Sequence, residues 1–238
     1  MSLRYPTLVD VTKSLAPDGS IATVAEILNE TNEMLLDIPF MEGNLPTGHR
    51  STVRTGLPDP TFRTFYQTVQ PTKSQRAQVT DTCAMMEAYS TVDKALADLN
   101  NNTDAFRLQE DIAHIEGMGQ AAQEAFIYGN SAVNPTQFNG LAPRFNARSG
   151  AGNSDNVIHG GGDDNANASI WLVVWGPSTC YGIYPKGSTA GLQVTNKGQV
   201  TLQNFEGTPG YMEAYQTHYR WDLGLVVADW RYVVRICN

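Results

Sequence analysis

Apolar positions recur at helical spacing most clearly over 102–129, NTDAFRLQEDIAHIEGMGQAAQEAFIYG. Ala105, Leu108, Ile112, Ile115, Ala122 and Phe126 follow one another at three or four residues, with a slip at Met118 or Gly119. That spacing places them on one stripe of an α-helix. Arg107, Gln109, Glu110, Glu116, Gln120 and Gln123 fall on the opposite face. Asn102 or Thr103 supplies a cap, Asp104 suits the positive end of the helix dipole, and Gly129 with Asn130 is a stop signal. At ~1.5 Å per residue the helix runs roughly 40 Å, and a one-sided helix of that length predicts something laid along it. Gly117 and Gly119 are its weak turn, each costing roughly 1 kcal/mol relative to Ala, and mark a bend or a close backbone approach.

Elsewhere the pattern is less regular. Residues 1–19, broken by Pro6, Pro17 and Gly19, read as an extended arm or an ordinary N-terminal cap. Ser20 then precedes an amphipathic helix carrying Ile21, Val24, Ile27, Leu28, Met34 and Leu35, ended by the DIP sequence at 37–39. HRSTVRT and TFRTFYQTV are β-favouring runs separated by the turn signal LPDP, and a third run, RAQVTDTCAMM, follows Pro71. This predicts a long β-hairpin with a proline-containing tip. Its apolar surface is little more than Val53, Phe62, Phe65, Tyr66 and Val69, and an isolated ribbon of that kind is marginal in water. It needs a partner, either its own domain or another chain.

A short helix is expected in EAYSTVDKALADLN, from Ser90 or Thr91 to near Asn100. Residues 130–169 are a loop by composition, with Phe138, Leu141 and Phe145 to pin its first half and GGGDDNANAS as a flexible tip. The last third is β-rich. SIWLVVWG reads as a short, wholly apolar, buried central strand, with TCYGIYP placed to pair with it. KGSTAGLQVTNKGQVTLQN reads as a hairpin turning at 196–198, and the final segment as two long runs broken near Ala228 and Asp229. No repeat with a period of about 20–50 residues appears.

Charge and chemistry narrow the function classes. A net charge of -8 excludes wrapping nucleic acid through a basic face and leaves only weak or local DNA contact. No apolar run reaches the ~20 residues that span a bilayer, and MSLRYPTLVDVTKS lacks a signal-peptide core. Cys83, Cys180 and Cys237 are odd in number and lack CxxC spacing, which predicts buried reduced thiols in a cytosolic product. The signatures of serine hydrolases, phosphate loops, dinucleotide-binding folds and HExxH metalloproteases are missing, and PKGSTAG at 185–191 has the wrong spacing for a phosphate loop. No cofactor is expected. The histidines sit singly, so an enzyme would need His159, Asp163 and His218 to converge from the 130–169 loop and the β-rich region. A carbohydrate-binding face would need Trp171, Trp175, Trp221 and Trp230 exposed together, whereas the apolar neighbours of the first two argue for burial. The most basic stretch of this acidic chain holds Arg50, Arg54, Arg63, Lys73 and Arg76, with Phe65 and Tyr66 between them. It is either a solvated ribbon surface or a contact for an acidic neighbour.

The order of these elements and their wording resemble one family. GHRSTVRTGLPDPTFRTFYQTVQPTKSQRAQVTDTCAMMEAYSTVDKALADLN resembles the hairpin and following helix of major capsid proteins of tailed bacteriophages, in a podovirus-like group with the Hong Kong 97-type fold. AFIYGN with NPTQFNGLAPRF is similar to that group's spine-helix end and exit loop, and SIWLVVWGPSTCYGIYPKGSTAGL and HYRWDLGLVVADWRYVVRICN to its C-terminal strands. The resemblance runs from about Thr47 onward. It implies an α+β capsid-type fold: an N-terminal arm and short helix at 1–46, an extended hairpin loop at 47–86, a peripheral domain at 87–150 with spine helix 102–129, and a β-rich axial/peripheral domain at 151–238. It also implies a non-enzymatic virion protein, made in the host bacterial cytoplasm, that assembles as hexamers and pentamers into an icosahedral shell around DNA. Portal, scaffolding or decoration proteins are its implied partners. The implied subunit contacts are Arg50, Arg54, Arg63, Phe65, Tyr66, Lys73 and Arg76. Asn238 comes earlier than the end of such proteins, which implies a shortened chain; a central sheet left unclosed would offer its edge strand to another chain.

Overall fold

Three long elements carry the chain between two compact units. The computed structural model describes residues 33–99, 103–161, 168–203 and 209–237. Among these, the first unit draws on 33–35, 85–123 and 191–221, and the second on 36–84, 124–190 and 222–237. The arm at 1–19 and most of the helix expected over 21–38 lie outside the described residues. In chain order the elements are α1 (Glu33–Asp37), β1 (Phe40–Glu42), β2 (Gly48–Gly56), β3 (Gln75–Asp93), α2 (Lys94–Ala97), α3 (Thr103–Tyr128), α4 (Leu141–Arg144), β4 (Val157–His159), β5 (Ile170–Val173), β6 (Cys180–Tyr184), β7 (Gln193–Gln203), β8 (Tyr211–Val227) and β9 (Val233–Cys237). The chain crosses from one unit to the other within α1, β3, α3 and β8 and between residues 190 and 191.

In the first unit β7 lies antiparallel on β8, from Gln193 opposite Arg220 to Gln203 opposite Tyr211. The expected hairpin turn at 196–198 is instead a bulge within β7. Its chemistry is that of a turn, since Gly198 has φ +69 and its N–H donates to Asn196 Oδ1 at 2.8 Å. Both flanks, however, find β8 as their partner, so the chain does not reverse. The expected helix from Ser90 is another correction. β3 continues to Asp93, burying Ser90, Thr91 and Val92, and only then does Asp93 Oδ1 accept from the Ala95 and Leu96 N–H groups to start the four-residue α2. Val92, Ala97 and Phe106 form the core here, with Leu96 and Tyr215 against it. The Arg107 guanidinium sits 4.9 Å over the Tyr215 ring and donates to Asn196 Oδ1 at 2.8 Å.

Helix α3 forms over Thr103–Tyr128, and its stripe is only half covered. Met118, Gly119, Ala122 and Phe126 are buried, as the spacing implies. Leu108, Ile112 and Ile115, expected on the same buried stripe, are exposed.

The second unit is built on a sheet ordered β1-β6-β8-β3-β2, with β1 parallel to β6, and with β6 to β8 and β2 to β3 antiparallel. β6 therefore pairs along its length with β8 and β1, and meets the preceding SIWLVVWG run only through an isolated bridge between Trp175 and Cys180. Four of its five positions are buried, which requires a neighbour on each side. Phe126 is buried between the rings of Phe40 and Phe138, at 6.1 and 5.2 Å. Phe138, Leu141 and Phe145 are all buried and pin the loop that leaves α3.

A small sheet ordered β4-β9-β5 completes the unit. β5, expected to be buried and central, is an edge strand that exposes Ile170 and Leu172 and turns Trp171 inward. The Trp171 ring meets Phe145 edge-on at 6.3 Å, and the Arg235 guanidinium lies 5.2 Å above it. The final strand β9 is flanked on both sides, by β4 and β5. The break near 228–229 is where the periodicity put it, with Asp229 Oδ1 accepting from Arg231 N–H at 3.1 Å to start a 3-10 turn.

The cysteines are free thiols, with Cys180 and Cys237 buried and Cys83 half-buried. Burial, then the charges of Asp222 and Asp81, pushes the Cys83 thiol up to about 11. Burial likewise pushes Cys180 up to about 12, against the pull of the Arg144 guanidinium. Both stay protonated at pH 8, and the thiolate is the reacting form. Iodoacetamide at that pH is expected to leave Cys83 and Cys180 unmodified in folded protein and to alkylate both after denaturation. Mass spectrometry of the two samples checks this, and modification of folded Cys180 would show that the unit opens.

Candidate functional site: the exposed hairpin

The hairpin is made by β2 and the first half of β3, in register from Gly48 opposite Thr82 to Arg54 opposite Arg76, with a bulge before Gly56 opposite Gln75. Its return strand is the RAQVTDT run. TFRTFYQTV, read from the sequence as the partner of HRSTVRT, has no strand and belongs to the tip at 57–74. Aromatic and β-branched residues favour strands because a sheet half-buries them. Here there is no such surface, and Phe62, Phe65 and Tyr66 stand 105%, 95% and 105% exposed.

The tip has local order of its own. The Gln67 N–H donates to the Thr64 carbonyl at 3.3 Å, and the Thr64 N–H and hydroxyl each donate to Gln67 Oε1 at 3.2 Å. Arg63 Nη1 closes the turn on the Gln67 carbonyl at 3.3 Å. Tyr66 sits at φ 66, the left-handed region, and is the one non-glycine residue at positive φ among those described. An L side chain pays for that conformation in strain, which the turn's hydrogen bonds hold in place. The result is a small knob that displays Phe65 and Tyr66 outward.

Alternation along the ribbon gathers cations on one face. Arg50, Thr52 and Arg54 lie opposite Thr80, Gln78 and Arg76 respectively, and residues two apart share a face. Arg50 Nε donates to Thr80 Oγ1 at 3.2 Å. Arg54 directly faces Arg76, a like-charge cross-strand pair that weakens an isolated ribbon. Arg63 projects from the tip, Lys73 from its return, and all five cations are exposed. Thus the structure brings Arg50, Arg54 and Arg76 onto one face, places Arg63, Phe65 and Tyr66 together on the knob, and leaves Lys73 between them.

Sequence reasoning missed the hairpin's root. Asp81, buried at 5% exposure, accepts from Arg144 Nη2 at 2.8 Å. The same guanidinium donates to the carbonyls of Asn139, Gly140 and Leu225, at 3.0, 3.2 and 3.1 Å. The available signal was a lone acid in the middle of a Thr-rich strand. On the other side of the root His49 meets Tyr181 edge-on at 6.1 Å. A cleft of about 440 Å³ lies beside β2, lined by residues 52–57 and 228–231, and the Arg231–Asp229 ion pair forms part of its wall.

Neither competing site is drawn from the described residues of one unit. His159 lies on β4 in the second unit, His218 on β8 in the first, and Asp163 lies outside the described residues. His218 stacks on Tyr89 at 4.4 Å, with Nε2 3.6 Å from Glu87. Among the described residues no cluster of three or more His, Cys, Asp or Glu side chains is arranged to hold a metal ion. Of the four tryptophans, Trp171, Trp175 and Trp230 belong to the second unit and Trp221 to the first, and none is fully exposed.

Comparison with known proteins points one way. Residues 16–238 match the family described as major capsid protein GP7. Among solved structures, the chain is similar to that of bacteriophage Epsilon15, with 35% identity over 100% of this chain and 71% of that one, at a TM-score of 0.75. The capsid of a native GTA particle shares the fold at 12% identity, 99% and 100% coverage and a TM-score of 0.56. So does the holo-SrpI encapsulin complex from Synechococcus elongatus PCC 7942, at 11% identity, 98% and 95% coverage and 0.57. No curated protein matches the chain. Nothing in these likenesses supports a hydrolase. The chain belongs to the GP7 family of major capsid proteins and is a structural protein of a tailed-phage capsid.

Proposed function

We propose that the hairpin is the element by which one subunit grips the next in the shell, through Arg50, Arg54, Arg63, Phe65, Tyr66, Lys73 and Arg76. The observation that carries this is the tip: three aromatic rings wholly in solvent, held by a strained turn, on an element with no core of its own. Large exposed aromatics on an ordered knob are what an interface anchor looks like before its partner arrives.

Around that contact the subunit reads as an N-terminal arm at 1–46, the extended hairpin loop at 47–86, a peripheral domain at 87–150 stiffened by α3, and a β-rich domain at 151–238, in the Hong Kong 97-type plan. Contacts between different surfaces of identical copies make rings when the rotation closes, here hexamers and pentamers of an icosahedral shell. The role is assembly without catalysis, in the virion, after synthesis in the host bacterial cytoplasm. Portal, scaffolding and decoration proteins are its further partners. The net charge of -8 fits a wall that holds packaged DNA without gripping it.

Excising 57–74 and joining the strands by a short glycine turn tests the reading. The expected product is a soluble subunit with unchanged circular dichroism that forms no shells by light scattering and electron microscopy. Normal particles from that variant would sink the hairpin's role.

A further inference from the structure

We infer that the outer edge of β2 is a docking groove for one more strand, an extended acidic segment of a protein other than this chain. β2 ends its sheet and is paired with β3 on one side only. Its odd positions turn their backbone groups toward β3. The Cys83 N–H donates to the Thr47 carbonyl at 2.9 Å, and the register carries that alternation to Ser51 and Val53. The even positions face away, as Arg50 demonstrates. Its N–H donates to Asn44 Oδ1 at 2.7 Å and its carbonyl accepts from Asn44 Nδ2 at 2.8 Å. A single side-chain amide thus makes the pair of bonds that a neighbouring strand's peptide groups would make. The same alternation points the N–H and C=O of Thr52 and Arg54 outward. There the cleft of about 440 Å³ opens, walled by 52–57 and 228–231 with nothing from β3. Both walls belong to the second unit. At ~3.3 Å per residue the β2 wall runs roughly 20 Å, the length of an ordinary strand. An open row of peptide groups is a template on which an extended peptide adds itself to the sheet.

Charge selects the strand. On the far wall the Arg231 guanidinium is committed to Asp229, through Nε at 2.9 Å and Nη2 at 2.6 Å. On the near wall Arg54 is exposed and faces the exposed Arg76 across the ribbon. A carboxylate beside Arg54 on an incoming strand relieves that repulsion. Leu57, 74% exposed, and the half-buried Trp230 give the cleft its apolar surface. The matching segment therefore alternates acidic with aliphatic side chains. The chain's own arm at 1–19 is the competing occupant, but it balances Asp10 and Asp18 with Arg4 and Lys13 and brings no net acid. The knob of Arg63, Phe65 and Tyr66 lies outside the cleft lining, so the groove does not depend on what the tip touches.

Fluorescence anisotropy on the full chain tests this with a labelled synthetic peptide that alternates glutamate with valine. The expected result is saturable binding, weakened about tenfold or more by Thr52→Pro and unchanged by Thr52→Ala. Proline at an edge position deletes an outward N–H that β3 does not use, so β2 stays paired, and circular dichroism confirms the fold. Arg54→Glu leaves the backbone alone and is expected to lose the glutamate peptide and to bind its lysine counterpart. With the glutamate peptide bound, hydrogen exchange should slow at the Thr52 and Arg54 amides and stay as it was at Ser51 and Val53. No binding at peptide concentrations up to about 1 mM overturns the groove. So does equal binding by folded Thr52→Pro or, should that variant not fold, equal binding by Arg54→Glu. A synthetic peptide of residues 1–19 that displaces the glutamate peptide at lower concentration overturns the occupant, by giving the groove to the chain's own arm.

Discussion

Arg144→Ala is expected to cost about 3–5 kcal/mol of stability, the loss associated with breaking a buried ion pair from one side. The guanidinium is the hub of the second unit. It pairs with buried Asp81 on β3 and donates to carbonyls of the loop after α3 and of β8. Truncation strands the Asp81 carboxylate and three acceptors together, and an unsatisfied buried polar group costs about 1–3 kcal/mol by itself. Asp81→Ala should cost less, because Arg144 is one-fifth exposed and keeps its carbonyl partners. Replacing both, Asp81→Leu with Arg144→Met, should recover part of the loss, since apolar isosteres carry no desolvation cost. Urea denaturation of the three variants measures this. A loss below about 1 kcal/mol for Arg144→Ala would mean that solvent screens the pair as it does at a surface. Hydrogen exchange adds a functional reading. Asp81 lies opposite His49 at the hairpin's root, so amides of 48–56 and 75–82 should lose protection before those of α3.

The contrast between this root and the hairpin's cations shows what a linear pattern can and cannot convey. The cations were legible because charge needs no partner to be counted, and strand alternation then places Arg50 and Arg54 on one face. Asp81 and Arg144 are far apart in sequence, and nothing in their neighbourhoods announces the pair. The helix was legible for the same reason as the cations, since a period of three or four residues is a local property of α3. Which part of its stripe is covered is not local, and there Leu108, Ile112 and Ile115 departed from expectation. Strand partners failed in the same way. The TFRTFYQTV run has strand propensity and no sheet to join, while SIWLVVWG is apolar throughout and still ends at an edge, because β9 is paired on its far side by β4. Asn196 and Gly198 kept their turn geometry inside a continuous strand, since β8 is long enough to pair with both flanks. Propensity described each segment well, and long-range pairing decided its place.

The second large effect concerns two glycines at the end of α3, of which the sequence marked only Gly129, as a helix stop. Gly140→Ala should destabilise the second unit by about 4 kcal/mol or more, a size kept for a few mechanisms of which backbone clash is one. A Cβ at Gly140 would stand 2.6 Å from the Ala125 carbonyl oxygen, 2.7 Å from that of Phe126 and 3.0 Å from the Ile127 carbonyl carbon. All three are helix backbone, which no side-chain rotation can move aside. Gly129 is held in the same crossing: a Cβ there would stand 2.5 and 2.6 Å from the Ala125 and Phe138 oxygens, and its own carbonyl accepts from the Gly140 N–H at 2.8 Å. Gly117→Ala is the matched control. It lies in the same helix with nothing within 4 Å of its Cβ, so it should stabilise by roughly 0.5–1 kcal/mol through helix propensity. Thermal unfolding of the pair should therefore shift in opposite directions, and a neutral Gly140→Ala would show that the loop can lift away from α3 at little cost. The stakes reach the hairpin. The Gly140 carbonyl is one of the acceptors that orient Arg144, so displacing this loop also loosens the guanidinium that anchors Asp81. A methyl group at the end of α3 is then expected to weaken assembly as well as stability, through the root of the hairpin and without touching its tip.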